Sequence, residues 1–273
     1  MKLMSWWRRK KPATPAQVAP VRHLSYQCAV CQGVGSRENQ EDAWGLVNAE
    51  DVTKIRERGV LALVADGMGG LSHGSLASQT GIRIISEDYV DMDLNEGVEQ
   101  QLADSILHAA EQVYELLQGA GGSTMIACLL YDESLCYAGM GDSFLYLLRQ
   151  GKLIRINREQ NMLHQRYWEL IRQGHVDTAS VANISQPQAV TSFLGIDRIE
   201  DIDWLSRSMH LKDGDVLLLC SDGVGGVLSQ QEICACLSVP DANEAALALQ
   251  KEVLAKGLVH QDNFTAIVIR CEK

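Results

Sequence analysis

Apolar residues arrive in this chain in two rhythms. Runs at 60–65, 124–131, 134–140, 143–149, 152–157, 215–220 and 264–270 are short, dense in aliphatic residues, and of strand rather than helix length. Asp132-Glu133 and Gln150-Gly151 separate neighbouring runs by two residues, the spacing of tight reversals, so this part of the sheet is expected to be antiparallel. Elsewhere the period lengthens. From about 96 to 118, Val98, Leu102, Ile106, Ala109, Val113, Leu116 and Leu117 recur at three- and four-residue spacing and predict a helix with one apolar stripe. Further helices are expected at about 74–89 and at about 242–256, the last stopping before Gly257. The pattern predicts a layered α/β sandwich, and no internal repeat is visible. The interval from about 158 to 203 breaks the strand rhythm, with a helical stretch from Leu163 to Gly174 and then a loop-like stretch holding Asn183, Ser185 and Pro187.

Candidate chemistry gathers where the strand runs end. Val64-Ala65-Asp66-Gly67, Met140-Gly141-Asp142-Ser143 and Cys220-Ser221-Asp222-Gly223 each place an acid just after an apolar run, and Gln261-Asp262-Asn263 places one just before. A strand-end carboxylate beside a glycine can point into a cleft while bare backbone comes close to a ligand. Upstream, Arg37-Glu38-Asn39-Gln40-Glu41-Asp42 joins a cation to further carboxylates. An all-oxygen donor set favours Mg²⁺ or Mn²⁺ over zinc, and a planar guanidinium beside it suits phosphoryl oxygens. On charge alone Arg37 suits an ion pair with Glu38 or Glu41 equally well.

Six segments in order carry a resemblance. Arg37 to Asp42, Asp66 to Ser78, Gly122 to Thr124, Gly141 to Phe144, Ser221 to Gly223 and Asp262-Asn263 are similar to the motifs of the metal-dependent protein phosphatases of type 2C, in particular the bacterial serine/threonine phosphatases. The likeness spans roughly residues 24 to 270. It implies a four-layer αββα sandwich of two mainly antiparallel sheets flanked by helices, with the strand-end acids at one edge. It further implies two Mn²⁺ or Mg²⁺ ions per subunit. Asp66 would bridge them, the Gly67 carbonyl would complete one, Asp222 and Asp262 would hold the other, and Asp42 and Glu41 would bind the cluster partly through water. Arg37 matches the phosphate-binding arginine. The implied reaction is hydrolysis of phosphoserine and phosphothreonine in proteins by water activated between the two ions.

Departures from the pattern matter as well. Gln40 stands where asparagine is usual and keeps an amide to brace the loop. Phe144 replaces the arginine of Gly-Asp-Ser-Arg, so a bond or ion pair in that strand is expected to be missing. The stretch Gly119 to Thr124 has no carboxylate, which predicts a weak or absent third ion. Met68 stands where some eukaryotic relatives have a histidine, leaving protonation of the leaving group to solvent on the metal cluster or to another residue. His73 is read as the start of a helix rather than as that acid, and His164 and His175 as solvated.

Net charge of −11 disfavours nucleic acid and anionic membrane as general partners. A two-metal nuclease would need a basic channel, and basic residues cluster only in the first stretch, where Trp6, Trp7, Arg8, Arg9, Lys10 and Lys11 precede a Pro/Ala-rich run. Residues 1–20 are read as a flexible tail and 21–273 as one catalytic domain with a flap at about 158–203. No run is apolar and long enough to span a bilayer. Cys28, Cys31, Cys234 and Cys236 are expected to be buried reduced thiols rather than a zinc or redox site, and eight cysteines without an export signal suggest a reducing, cytoplasmic compartment. A monomer is expected. Tyr167 and Trp168 are expected to anchor the flap helix. Expected partners are phosphoproteins, a cognate Ser/Thr kinase and, by analogy with secretion-associated phosphatases, a forkhead-associated protein. A regulatory phosphatase-like protein of a partner-switching pathway is the alternative, although such proteins typically lose metal ligands that this chain keeps.

Overall fold

The computed structural model describes residues 23–69, 73–174 and 184–273. Two antiparallel sheets pack face to face. The first comprises β1 (Ser25–Gly33), β8 (Phe144–Arg149), β9 (Lys152–Arg155), β12 (Val216–Cys220) and β13 (Phe264–Glu272), in the order β1-β13-β12-β8-β9. The second runs β10-β7-β6-β3-β2, from β2 (Ala43–Val47), β3 (Val60–Ala65), β6 (Met125–Tyr131), β7 (Ser134–Met140) and β10 (Asp203–Trp204), with β11 (Met209–His210) also on β7. A two-stranded piece, β4 (Gly67–Met68) with β5 (Gly122–Ser123), extends its active edge. Helices α2 (His73–Asp91) and α3 (Val98–Leu117) cover the second sheet, and α6 (Gln230–Leu237) and α7 (Ala242–Ala255) the first.

Both faces of the central strands are buried, which is why their sequences read as unbroken apolar runs. On β3, Ala62 and Val64 point between the sheets while Leu61, Leu63 and Ala65 meet α2 and α3. On β12, Leu217 and Leu219 point between the sheets, and Val216, Leu218 and Cys220 face the other helical layer. Three apolar layers therefore hold four structural ones, the αββα order expected. Asp132 and Glu133, at φ +47° and +59°, and Gln150 and Gly151, at +52° and +73°, form the two tight reversals, joining Tyr131↔Ser134 and Arg149↔Lys152. Both central positive φ values match the right-handed twist of the flanking strands.

The expected elements appear within a few residues, and several unexpected ones join them. β1 and β2 carry Gln, Cys and Gly among their apolar residues. Gly45 lies where a Cβ would press on Ile82 and Leu63. Helix α1 (Val52–Arg58) buries no residue and so has no stripe. α6 is announced by a capping box, Ser229 with Glu232, rather than by length. All eight cysteines are free. Cys28 and Cys31 leave β1 on opposite faces, one toward the inter-sheet core and one toward the α7 side, so they do not converge as a ligand or redox pair. Residues 1–20, His175 and Asn183 lie outside the described residues.

Candidate active site

The strand ends that carry the acids meet at one edge of the sandwich. Asp66 ends β3, Asp142 lies in the turn from β7 to β8, and Asp222 opens the short helix α5 (Asp222–Gly225) after β12. Asp262 precedes β13, and Asp42 precedes β2. Hydroxyl and amide side chains hold this edge together. The Asp66 amide donates to Thr124 Oγ1 at 3.0 Å, the Ser123 hydroxyl donates to the Asp66 carbonyl at 3.0 Å, and Thr124 Oγ1 lies 2.8 Å from Ser143 Oγ. Gly122-Ser123-Thr124 thus braces the Asp66 and Asp142 turns against each other.

Asn263 does the same for the loop before β2. Its Oδ1 accepts from the Glu41 amide at 2.7 Å, and its Nδ2 donates to the carbonyls of Val34 and Asn39. Gln40 accepts from the Asp42 amide and donates to Gly33, so the substituted amide braces the loop as expected. Gly67 and Gly223 are glycines for a packing reason. A Cβ on Gly67 would lie 2.4 Å from the Gly74 carbonyl oxygen and 2.5 Å from that of Glu41, and one on Gly223 would lie 1.9 Å from the Asn263 carbonyl oxygen. The bare backbone beside the acids lets neighbouring chain segments close on them.

Five carboxylates share this edge, and their electrostatics show the crowding. Asp42 is buried, its Oδ2 accepts from Ser221 Oγ at 2.8 Å and Thr265 Oγ1 at 2.7 Å, and its Oδ1 has no hydrogen-bond partner. Burial, opposed by those two hydroxyls and aided by Asp222 and Asp262, pushes its pKa up to about 6. Asp66 rises well above the carboxylate range, chiefly by burial and then through the charges of Asp42 and Asp222. Asp142 is pushed to about 6 by burial and by Asp222, against the pull of Arg155. Asp142 was counted among the strand-end acids in the sequence but given no ligand role.

Arg37 stands at the mouth, 59% exposed, with Nη2 2.6 Å from Asp262 Oδ2. Its partner is therefore Asp262, neither Glu38 nor Glu41, although Glu41 and Asp222 act on it electrostatically. Glu41 packs beside Gly74 at the start of α2. His73 is exposed at the start of α2 against Gly121, and His164 lies 3.3 Å from Glu159.

Among the described residues no group of three or more His, Cys, Asp or Glu is drawn together into a finished cage. The acids interact across the cleft without converging, as unscreened like charges should. The donor set nonetheless suits a hard divalent cation: it is all oxygen, burial and neighbouring acids raise Asp42 and Asp66, and it includes one buried carboxylate oxygen with nothing to bond. Asp42, Asp66, Asp222 and Asp262, with Glu41 and the Gly67 backbone, are the residues available to hold it.

The profile described as protein phosphatase 2C matches residues 34–261. The serine/threonine phosphatase Stp of Listeria welshimeri is 26% identical over 205 residues, covering 72% of this chain and 77% of the relative. The crystal structure of the catalytic domain of the serine/threonine phosphatase PstP with two manganese ions superposes with a TM-score of 0.71 at 24% identity, covering 92% of this chain and 100% of that one. PppA, described as a key regulatory component of T6SS in Pseudomonas aeruginosa, superposes with a TM-score of 0.73 at 25% identity, with the same coverage.

Proposed function

Because the chain belongs to the protein phosphatase 2C family, we propose that it hydrolyses phosphoserine and phosphothreonine monoesters in proteins at the cleft lined by Asp42, Asp66, Asp222 and Asp262. The buried carboxylates that end strands at one sheet edge, with an arginine paired to Asp262 at its mouth, carry this reading. Two Mn²⁺ or Mg²⁺ ions per subunit would supply a water of lowered pKa and neutralise the phosphoryl oxygens.

The residues of the chain divide that work. Asp66 would be the carboxylate the two ions share, a role its interactions with both Asp42 and Asp222 support. The Gly67 backbone and Glu41 complete one side, and Asp222 with Asp262 the other. Arg37 exchanges its pair with Asp262 for the substrate phosphoryl group, a swap that costs little because an exposed ion pair contributes at most about 1 kcal/mol. Its fork then holds two phosphoryl oxygens. No side chain is assigned the nucleophile.

A phosphothreonine peptide assayed with Mn²⁺, with excess chelator, and with Asp66→Asn tests this. Release of phosphate that needs both Mn²⁺ and Asp66 is the expected result. A folded, Mn²⁺-binding protein that releases none would overturn the reading in favour of a regulatory, phosphate-recognising role. A cognate Ser/Thr kinase and a forkhead-associated partner are proposed on the likeness to PppA alone.

A further inference from the structure

Strand β8 has phenylalanine where the matching motif has arginine, and a guanidinium nevertheless occupies that corner. It comes from Arg155, the last residue of β9, paired across the hairpin with Tyr146. The Arg155 side chain is only 17% exposed, and every nitrogen of its fork is engaged. Nη2 donates to the carbonyls of Asp142 at 3.1 Å and Ser143 at 3.2 Å, Nε donates to Asn157 Oδ1 at 3.2 Å, and Nη1 pairs with Glu159. The guanidinium carbon lies 4.0 Å from the centroid of the Phe144 ring.

Phe144 carries the contact onward. Its ring packs on the backbone of Gly225, where a Cβ would come within 2.3 Å of Cδ2. Gly225 ends the one-turn helix whose first residue is Asp222, and the Gly226 amide closes that turn on the Asp222 carbonyl at 2.8 Å. One guanidinium therefore grips the Asp142 turn by its carbonyls and, through the aromatic face, backs the turn that presents Asp222. On its other side Glu159 accepts from Asn161 Nδ2 at 2.9 Å. Asn161 caps helix α4 (Met162–Arg172) by accepting from the His164 amide at 3.0 Å.

We propose that Arg155 is a positioning residue for the acid cluster, setting Asp142 and Asp222 relative to each other by holding both of their supporting turns. The inference rests on the phosphatase reading for its kinetic consequences but not for its metal-binding one. Lysine cannot replace it. A single ammonium has no planar fork to span two carbonyls, an amide oxygen and a carboxylate, and it stacks less well on an aromatic face.

Arg149 is the natural control. It lies at the other end of the same hairpin, is similarly buried, and is also held in a forked pair, with Nη2 2.5 Å and Nε 2.8 Å from the Asp215 carboxylate, yet it supports no residue of the cluster. The experiment measures Mn²⁺ affinity from the electron paramagnetic resonance signal of free Mn²⁺, together with kcat and KM on a small aryl phosphate, for wild type, Arg155→Met, Arg155→Lys and Arg149→Met, each checked for folding by thermal melting. Arg155→Met and Arg155→Lys are expected to weaken Mn²⁺ binding between about 10- and 100-fold, the range for groups that orient metal ligands from behind, and to lower kcat with KM little changed. Arg149→Met is expected to lower the melting temperature and leave Mn²⁺ affinity as it was. Equal losses of affinity in Arg149→Met and Arg155→Met, full affinity in either Arg155 variant, or a wild type that binds no Mn²⁺ would each overturn the proposal. A wild type that binds Mn²⁺ without releasing phosphate would sink the phosphatase reading and leave the binding comparison to decide on Arg155.

Discussion

Asp42 and Asp262 reach the same cleft from different strands, and their charges are handled in different ways. Asp42 is buried, bonded to two hydroxyls, and raised to about 6 because nothing positive is near enough to offset its burial. Asp262 is 42% exposed and has a guanidinium 2.6 Å away. The inner wall, which includes Asp66, lowers its charge by taking up protons, and the outer wall by borrowing a cation from its own chain. A divalent ion would displace a proton on the inner side and an arginine on the outer side, and the released arginine would then be free beside the metal. On the proposed reading both walls would hold ions, and only the outer one would also free an arginine for the phosphoryl group.

Asp66→Asn should break the inner wall most completely. It removes the one carboxylate that interacts with Asp42, Asp142 and Asp222 together, so Mn²⁺-dependent turnover is expected to fall by about 10³-fold or more, since electrostatic stabilisation is the largest single term in such chemistry. The metal-free protein should keep or raise its melting temperature, because burial and the neighbouring acids disfavour a charge at that position. Turnover within about tenfold of wild type would show that Asp66 bridges nothing.

The inner wall also has a pH signature. Asp42 and Asp142 both move from the ordinary 3.8 to about 6 in the folded chain. Between those values the folded protein holds protons that the unfolded chain has released, so their contribution to stability is full below 3.8 and is lost as pH rises through 6. In chelator the melting temperature should therefore decline from pH 4 toward pH 7, and Asp42→Asn should flatten the decline. Saturating Mn²⁺ should raise the melting temperature more at pH 7 than at pH 5. A melting temperature in chelator that rises steadily over this window, in wild type and Asp42→Asn alike, would mean that Asp42 is not the unsatisfied acid described here.

The outer wall should respond in kinetics rather than stability. Arg37→Ala is expected to lower kcat/KM about 10- to 100-fold, mostly through KM, the value of a charged bidentate contact. Stability should change by less than about 1 kcal/mol, because the pair it breaks is exposed. Unchanged KM and kcat would remove Arg37 from the site.

Much of this was legible in the chain itself, and the gaps have physical causes. Strands such as β3 and β12 are buried on both faces, so they announce themselves as apolar runs, and the acids at their ends could be picked out by position. β1 and β2 could not, since sheet edges tolerate Gln27, Gln32 and Gly45, and α1 has no buried face to impose a stripe. Asp42, Asp66, Asp222 and Asp262 were named, and the structure brings their strand ends to one edge without drawing the carboxylates together. Of the braces behind them, Asn263, Ser221 and Ser143 were quoted only as parts of motifs and Thr265 not at all, because a hydroxyl or amide acquires its role only from partners far along the chain. The same holds for Arg155. The missing arginine at 144 suggested a lost bond, and only the hairpin register reveals that Arg155 of the neighbouring strand lies against the phenylalanine there.

Trp168 gives the smallest effect and the sharpest test of where the outer wall ends. The sequence favoured Tyr167 and Trp168 as anchors of the flap helix, since aromatic residues mostly pack. Both are exposed instead, Trp168 at 46%, and Trp168 borders a cavity of about 300 Å³ shared with Gln165, Arg172 and Gln160. Gln160 accepts from the Gly141 amide at 2.8 Å, which sets this cavity one residue from Asp142. An exposed indole at that position can lie along a peptide flanking the phosphorylated residue. Trp168→Ala should then raise KM for a phosphopeptide by about 2- to 10-fold, the worth of one aromatic contact. KM for a small aryl phosphate should stay the same, and stability should change by no more than about 0.5 kcal/mol. A melting temperature lowered by several degrees, with both substrates affected alike, would return Trp168 to the role of anchor and confine substrate contact to Arg37 and the acids.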